Sequence, residues 1–244
     1  MKRSCAIAVL WGSLLLSACS ERQLSGGQPS SPRLQPQSRP QQMDLLNVVH
    51  KGRRIGEWYD LARDKYADKN QRDTAFQELG KAGEAGLTAL FLLLGATDHD
   101  TVVLPDPKQW RPYAVEAGFV RIHAAETFGR LRSASLPAAP RLADLMRTDP
   151  VDKVRSVASV ALAEIGSQDP GVVKALKEAL RGPDIWVWAG AAGALGQVRP
   201  RDQESLDLLT KIRNADPYKL GRNSSEWAAI MSASNVAREA LLNR

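Results

Sequence analysis

Apolar and small residues recur with a helical period in three segments of the chain. They occupy positions 120, 124, 128 and 131, then 154, 158, 162 and 165, then 187, 191, 195 and 198. Spacings of three and four residues place such positions on one face of an α-helix. Each segment is therefore predicted to be a helix with one buried face, and Leu162 in the central segment is predicted to be fully packed.

The three helices belong to successive copies of one unit. The second copy lies 34 residues after the first, and the third lies 33 residues after the second. A second amphipathic helix is predicted in each copy, over 136–147, 172–181 and 205–213. Leu142, Leu176 and Leu209 keep the same shifts in these second helices. Asp-Pro or Pro-Asp pairs separate the helices, because proline ends one helix and aspartate can cap the next.

A less regular copy precedes these three. It covers 72–80 and 87–94, and it lies 49 rather than 34 residues before the next copy. The excess falls in 96–118, where proline and aspartate exclude an uninterrupted helix, so we predict an insertion there. Residues 43–69 are predicted to form N-terminal capping helices. Residues 217–244 are predicted to form a loop and a C-terminal capping helix.

The close copies share the pattern Val-Arg-x-x-Ala-x-x-x-Leu/Phe-Gly/Ala-x-Leu/Ile, in which Trp188 replaces the arginine of the third copy. With this pattern they resemble HEAT repeats, in particular the short bacterial kind of the phycobilin-lyase-like proteins. The resemblance covers about residues 70–216 and implies an all-α fold, a right-handed α-solenoid of stacked helical hairpins. It also implies an extended concave face, lined by the second helices, that binds other proteins. A globular helical bundle is the alternative architecture.

The first residues of the chain have the pattern of an export signal. Lys2 and Arg3 precede an apolar run of about fourteen residues, shorter than the roughly twenty that a membrane-spanning helix needs. Its end, Leu16-Ser17-Ala18-Cys19, resembles the lipobox of bacterial lipoproteins. The resemblance implies that residues 1–18 are removed and that Cys19 is acylated. An ordinary signal peptide that happens to end near a cysteine is the alternative.

Residues 19–42 contain the lipidated cysteine and a stretch rich in proline, glutamine and serine. Such a stretch cannot bury enough apolar surface to offset the entropy of ordering, so a disordered tether is predicted. Ser20 after the cysteine resembles the pattern of lipoproteins sorted to the outer membrane. In a Gram-negative host the protein is therefore expected in the cell envelope, attached to that membrane by lipid and facing the periplasm.

Charge and cysteine content exclude several classes of function. Residues 43–244 carry 28 Lys and Arg against 26 Asp and Glu, a formal charge of +2, although the whole chain has a pI near 9.5. This balance and the exported location argue against a nucleic-acid partner. The export signal also argues against a phycobilin-lyase activity, which acts on cytosolic or stromal proteins. Both cysteines, Cys5 and Cys19, belong to the signal region, so the folded part has no thiol for a disulfide, a zinc site or a nucleophile.

No catalytic motif is evident in the sequence. His50, His99 and His123 have no helical partner among themselves, so no metal site is predicted. No phosphate-binding loop or nucleophile elbow is found either, and the protein is predicted to be neither an enzyme nor dependent on a cofactor. His123 is predicted to be partly exposed, opposite the core residues of its helix. The alternative is an accessory enzyme or ligand-binding protein whose site is formed by 96–118, with Asp98-His99-Asp100 as the candidate base or metal site.

A partner-binding surface is predicted on the second helices. Their basic positions are Arg141, Arg147, Lys174, Lys177, Arg181 and Lys211. Because Arg147 and Arg181 recur at the repeat shift, like charges would stack along one groove and suit an acidic or extended partner. The alternative is a solvated face whose cations offset the helix dipoles.

Trp188 is the remaining candidate for this surface. It takes the position of Arg121 and Arg155 away from the core stripe, and it is predicted either to stack on Arg155 or to be an exposed binding anchor. Together these features predict a membrane-anchored, periplasm-facing lipoprotein that acts as a non-enzymatic protein-binding scaffold or assembly factor. The expected partner is another protein or an extended peptide.

Overall fold

A computed structural model describes residues 44–97, 118–198, 202–221 and 223–242. The export signal, Cys19 and the tether lie outside the described residues. So do Asp98-His99-Asp100 and nearly all of the predicted insertion, of which only Ala96, Thr97 and Gly118 are described.

The described chain is helical throughout, except for one short hairpin and the connections between helices. A single helical turn at 44–46 comes first, and two strands follow it, β1 (Val49–His50) and β2 (Arg53–Arg54). The helices follow in the order α1 (Ile55–Arg63), α2 (Lys69–Lys81), α3 (Gly83–Leu93), α4 (Phe119–Leu131), α5 (Ala139–Thr148), α6 (Asp152–Ile165), α7 (Pro170–Arg181), α8 (Trp188–Gln197), α9 (Gln203–Arg213), α10 (Pro217–Leu220) and α11 (Ser224–Leu242). Short 3₁₀ helices cover Arg132–Ala138 and Ile185–Val187.

These helices form an α-solenoid, which confirms the predicted fold class. The first helices α2, α4, α6, α8 and α11 each pack against the next, and the second helices α5, α7 and α9 form a neighbouring row. The predicted apolar stripe is buried between them: Val154, Ala158 and Leu162 are each at most 1% exposed. Leu142, Leu176 and Leu209 are buried in the second helices in the same way. A long helix, α11 (Ser224–Leu242), lies within the C-terminal segment 217–244, for which a capping helix was predicted.

The first helices approach one another closely because small residues lie where they cross. A side chain at Gly190 in α8 would overlap with the backbone of Ser159 and lie 2.5 Å from the amide nitrogen of Val160 in α6. A side chain at Gly196 would lie 2.5 Å from Cβ of Ala240 in α11. Such separations are shorter than any ordinary carbon contact, so only glycine fits at these crossings.

The N-terminal segment differs from the prediction, because a β-hairpin precedes its helix. Val49 pairs with Arg54 and His50 with Arg53, around a two-residue turn at Lys51 and Gly52. Both turn residues have positive φ, 50° and 78°, as a type I′ turn requires. Glycine meets this requirement without strain, and the Lys-Gly pair was the signal in the sequence that the prediction of capping helices missed.

Proline also shifts one predicted boundary. The second helix expected from residue 136 begins as a 3₁₀ turn, and α5 starts only at Ala139. Pro137 and Pro140 have no amide hydrogen to donate to a preceding carbonyl, so regular helix is disfavoured before them.

No helix in the described ranges is both long enough and apolar enough to cross a bilayer.

Candidate functional site

A groove runs between the second helices. Its first part has a volume of about 490 Å³ and lies between α5 and α7, with Phe91 of α3 at one end. Its second part, about 440 Å³, extends over α7 toward Glu204 of α9. Lys174 and Glu178 line both parts, so the two form one continuous surface. The groove therefore follows the row of second helices, which carry the cations of the predicted partner-binding surface.

Helical spacing places the side chains that line the groove. Pro140, Asp144 and Arg147 follow at intervals of four and three along α5, so they share one face of that helix. On α7, Lys174 and Glu178 are likewise one turn apart. The chain enters α7 through Asp169, whose side chain accepts a hydrogen bond of 2.8 Å from the amide of Gly171 and thereby caps the helix.

The two arginines that recur at the repeat shift are paired with carboxylates. Arg147 lies 2.7 Å from Asp144 on its own helix and 3.7 Å from Glu178 on α7. Arg181, one repeat further on, pairs with Glu204 of α9. The prediction that Arg147 and Arg181 stack as like charges is therefore wrong, because a glutamate of the next second helix lies beside each arginine.

Lys177 is a largely buried cation of the groove. Its side chain is 11% exposed, lies 3.0 Å from Glu204 and also pairs with Asp202, the N-cap of α9. The ammonium group of Lys177 and the hydroxyl and amide of Ser205 hold the pKa of Asp202 well below its usual range. Lys177 thus fixes α9 against α7 and is not available to a ligand.

The other three predicted cations have fewer or longer polar contacts than Arg147, Lys177 and Arg181. They are Arg141, Lys174 and Lys211. Arg141 lines the groove and forms no ion pair within the described ranges. Lys174 is 78% exposed, and its Nζ lies 4.0 Å from Glu178. Lys211 donates a long hydrogen bond of 3.5 Å to the carbonyl of Leu180. Of the six predicted cations, Arg141 and Lys174 are therefore the two groove residues whose positive charge is least neutralised by a nearby carboxylate.

Trp188 is not an exposed anchor. It is only 5% exposed, and its indole Nε1 donates a hydrogen bond of 3.2 Å to the carbonyl oxygen of Gly182. Arg155, its predicted stacking partner, forms an ion pair of 2.6 Å with Asp184. Its burial contradicts the prediction of an exposed anchor, and no stacking of Trp188 on Arg155 is seen among the described residues.

The equivalent arginines show why this position is buried. Arg121 is 2% exposed and forms a buried ion pair with Asp149, in the loop between α5 and α6. Arg155 and Asp184 repeat this pair one unit later, with side chains that are 23% and 27% exposed. The position therefore faces the junction with the next unit. The recurrence of Asp149 and Asp184 about one repeat apart was the signal that sequence reasoning missed.

The described histidines form hydrogen bonds with carboxylates, each in a separate place. His123 is partly exposed, as predicted; its Nδ1 lies 3.2 Å from Glu126, and its ring packs 5.3 Å from that of Phe76. His123 lowers the pKa of Glu126. Nε2 of His50, in the hairpin, lies 3.0 Å from the carboxylate of Glu78 on α2. Within the described ranges no three histidine, cysteine or acidic side chains come together as a metal site would require.

Comparison with known proteins supports the repeat assignment. A family model described as HEAT repeats matches residues 140–230. No curated protein shows significant sequence similarity to the chain. The crystal structure of an engineered protein is similar over 78% of this chain and 97% of its own, with 17% sequence identity and a TM-score of 0.44. Residues 140–230 of this α-solenoid are therefore similar to HEAT repeats.

Proposed function

We propose that this protein is a membrane-anchored scaffold that binds another protein, or an extended peptide, in the groove between α5, α7 and α9. The observation that carries the proposal is the continuity of the groove across successive repeats. A surface built from equivalent helices repeats its chemistry at each step, which suits an extended chain better than a compact ligand.

The shape of the groove supports a binding role. Solenoids use the long surface of one helical row to bind partners, and this groove extends over three such helices. Lys177 and Arg181, which line its second part, are already paired with carboxylates of α9. Their charge therefore contributes to stacking of the repeats, and recognition depends on the remaining groups.

Charge in the groove supports a partner with an acidic residue at one defined point. Arg141 has no carboxylate partner among the described side chains, and it lines the first part of the groove together with the apolar Phe91 and Pro140. An arginine next to apolar side chains binds a carboxylate by a two-pronged contact while its stem remains packed. We therefore place an aspartate or glutamate of the partner at Arg141, with apolar residues of the partner beside it.

Attachment to the membrane is the second part of the proposal. It rests on the lipobox resemblance of Leu16-Ser17-Ala18-Cys19 and on the composition of the tether. Two or three acyl chains hold a protein firmly at a bilayer without a membrane-spanning helix. A tether of 23 residues would let the solenoid act at some distance from the bilayer, roughly 25 Å as a flexible coil. In a Gram-negative host the groove would then face the periplasm.

Site-specific photocrosslinking in native membranes tests the binding role. A photoreactive amino acid replaces Lys174, whose exposed side chain lines both parts of the groove, and a control chain carries it at Lys153 on the first helix α6. We expect a discrete crosslinked product from position 174 that is absent from position 153.

A charge reversal at the predicted recognition point makes the test specific. Arg141→Glu should reduce the product at position 174 by about tenfold or more, since the carboxylate of the partner would meet a like charge. Lys153→Glu is the matched control and should leave the product unchanged. Equal crosslinking at positions 174 and 153, or a product that is insensitive to Arg141→Glu, would show that the groove is not the binding surface.

A further inference from the structure

The N-terminal hairpin combines a cluster of basic residues with exposed valines. Its turn and second strand read Lys51-Gly52-Arg53-Arg54, which places three positive charges in four residues. Residues 43–244 together have a formal charge of only +2, so this charge is concentrated locally. Val49 is 65% exposed, and the side chains of Lys51 and Arg54 are 61% and 60% exposed. Together the exposed residues form the hairpin surface, which consists of Val48, Val49, Lys51, Arg53 and Arg54.

The pairing of the two strands divides these side chains between two faces. Residues directly opposite each other in an antiparallel pair point to the same side of a hairpin. His50 and Arg53 are one such pair on the side of the helices, where the guanidinium carbon of Arg53 lies 4.9 Å from the centre of the Trp58 ring. Arg53 forms no ion pair with any described residue. Val49 and Arg54, the other pair, therefore face away from the helices and present an apolar group beside a cation.

The hairpin is fixed to the helices behind it. The indole Nε1 of Trp58 on α1 donates a hydrogen bond of 3.0 Å to the carbonyl oxygen of His50. The carboxylate of Glu78 on α2 lies 3.0 Å from Nε2 of His50 and 3.0 Å from Nζ of Lys51. The hairpin surface therefore has a defined position on the solenoid before it contacts a partner.

Nearby carboxylates compensate only part of the positive charge. Lys51 shares Glu78 with Lys81, whose Nζ also lies 3.0 Å from that carboxylate. Arg54 lies 2.9 Å from Glu57, but both side chains are exposed, and exposed ion pairs are weak in water. Positive charge on the hairpin surface is therefore available to an anionic partner.

We propose that the hairpin surface is a second membrane contact, which binds a bilayer containing anionic phospholipids. The proposal rests on the proposed lipid anchor at Cys19, because only residues 43–48 separate the tether from β1. A tether with a reach of roughly 25 Å keeps the hairpin close to the bilayer, so even a weak contact becomes effective. Lysine and arginine place their charges at the phosphate groups, while their stems and Val49 lie at the edge of the acyl layer.

The size and chemistry of the hairpin surface favour a bilayer over a protein partner. Five side chains bury much less than the roughly 800 Å² per partner that is typical of a stable protein interface. A bilayer needs no matching shape, because it offers anionic groups to the cations and an apolar layer to the valines. Contact at the hairpin in addition to the anchor would restrict the orientation of the solenoid, and with it that of the groove, relative to the bilayer.

Fluorescence in reconstituted vesicles tests the proposal with the lipidated full chain. Val49→Cys carries an environment-sensitive dye, and the vesicles contain phosphatidylcholine alone or mixed with phosphatidylglycerol. We expect the emission to rise and shift to the blue only when phosphatidylglycerol is present, and to lose this response in high salt. Val160→Cys, at an exposed valine of α6, is the matched control and should show no response. The parent chain, treated with the same dye, accounts for any label at Cys5 or Cys19.

Charge variants of the hairpin make the test specific. Adding Arg53→Glu and Arg54→Glu to the labelled chain should reduce the response about tenfold or more, because two attractive charges become repulsive. Lys153→Glu with Arg238→Glu changes the net charge equally at two exposed helix positions and should leave the response unchanged. Arg53→Lys with Arg54→Lys should preserve the response, because a bilayer requires charge and not the geometry of guanidinium.

Flotation of the same vesicles reports on the anchor separately. A chain that floats with both kinds of vesicle, but whose label at position 49 does not respond to phosphatidylglycerol, would overturn the hairpin contact and leave the anchor intact. A response of equal size in neutral vesicles, or one that survives Arg53→Glu with Arg54→Glu, would also overturn it. So would a response seen only in native membranes, which would assign the hairpin surface to another protein. Flotation only with phosphatidylglycerol, abolished by the two glutamates, would instead support the hairpin contact and refute the anchor.

Discussion

Arg121 and Asp149 form a buried two-pronged ion pair between successive helical pairs of the solenoid. Nε of Arg121 lies 2.8 Å from Oδ2 of Asp149, and Nη2 lies 3.0 Å from Oδ1. The aspartate also accepts a hydrogen bond of 3.0 Å from the amide of Val151, and the guanidinium donates to the carbonyl of Ala96. Both carboxylate oxygens are thus hydrogen-bonded, which is the condition under which a buried pair is tolerated.

Removal of either partner of this pair should strongly destabilise the fold. Arg121→Ala leaves the Asp149 carboxylate buried without its counter-ion, so we expect a loss of about 3–5 kcal/mol in the free energy of unfolding. Arg54→Ala, which breaks an exposed pair with Glu57, is the control and should cost less than about 1 kcal/mol. Urea denaturation measures both. Similar losses for the two variants would contradict the special role of the buried pair.

Leu162 tests the register of the central repeat. It is 1% exposed in the stripe that the sequence predicted. Leu162→Ala should cost about 2–5 kcal/mol, because it leaves a cavity between packed helices. Val160→Ala on the same helix removes a side chain that is 46% exposed and should cost well under about 1 kcal/mol. A small loss for Leu162→Ala in reversible denaturation would mean that this face does not form the core.

Gly190 tests the close crossing of α6 and α8. In Gly190→Ala the new methyl group would overlap with backbone atoms of Ser159, so the helices must separate, at a cost of about 1–3 kcal/mol. Gly182→Ala is the matched control, because its new methyl group would lie 3.5 Å from its nearest neighbours, the carbonyl oxygens of Glu178 and Ala179. A thermal melt compares the two. Gly182→Ala should change the melting temperature little, and a tolerant Gly190→Ala would rule out the tight crossing.

Glu78 should make stability depend on pH in the acid range. Hydrogen bonds from Lys51, His50 and Lys81 lower the pKa of this buried carboxylate from 4.5 to about 2. Because the folded pKa is below the unfolded one, the stabilisation is complete above about pH 4.5 and is lost as the pH falls toward 2. It amounts to at most about 3 kcal/mol.

Glu78→Gln removes this titration. Urea midpoints of the parent chain should fall more steeply than those of the variant between about pH 4.5 and 2. Other carboxylates, such as Asp202 and Glu126, contribute to both curves, so the difference between the curves reports on Glu78 alone. Glu57→Gln, at an exposed carboxylate, is the control and should follow the parent. Parallel curves for Glu78→Gln and the parent would refute the assignment.

Cys19→Ala tests the proposed lipid anchor. Without the thiol no thioether to lipid can form, so the variant should leave the membrane fraction on carbonate or high-salt extraction, while the parent chain should stay with it. Ser20→Ala keeps the thiol and should fractionate like the parent. A Cys19→Ala chain that stays as firmly attached as the parent would show that lipidation of this cysteine is not the anchor.

The periodicity of the sequence was sufficient for the architecture, because burial on one helical face depends only on local spacing. Val154, Ala158 and Leu162 could be assigned to the core without knowledge of any neighbour. Trp188 could not be placed in this way, because it lies outside the predicted stripe and is buried by contacts beyond its own helix, such as that with the carbonyl of Gly182. The period of the apolar residues identifies one buried face of a helix. A first helix within the stack is covered by neighbours on several faces.

The charges of the groove show the same limit. Arg147 and Glu178 are 31 residues apart, and Lys177 and Glu204 are 27 apart, so neither pair is visible as a local pattern. The recurrence of arginine at the repeat shift was real, but each of the two arginines has a compensating glutamate on the next second helix. Reading one charge without its partner on the next helix led to the wrong prediction of an uncompensated basic stripe.

The glycine crossings divide the molecule into two parts with unequal freedom to evolve. Where Gly190 and Gly196 meet the neighbouring helix, any larger side chain pushes two helices apart, so few substitutions survive on that row. The second helices expose Lys174, Glu178 and Arg141 to a wide groove, where side chains can be exchanged without disturbing the backbone. Related chains can therefore differ in the residues that line the groove while they keep the same packing of the first helices.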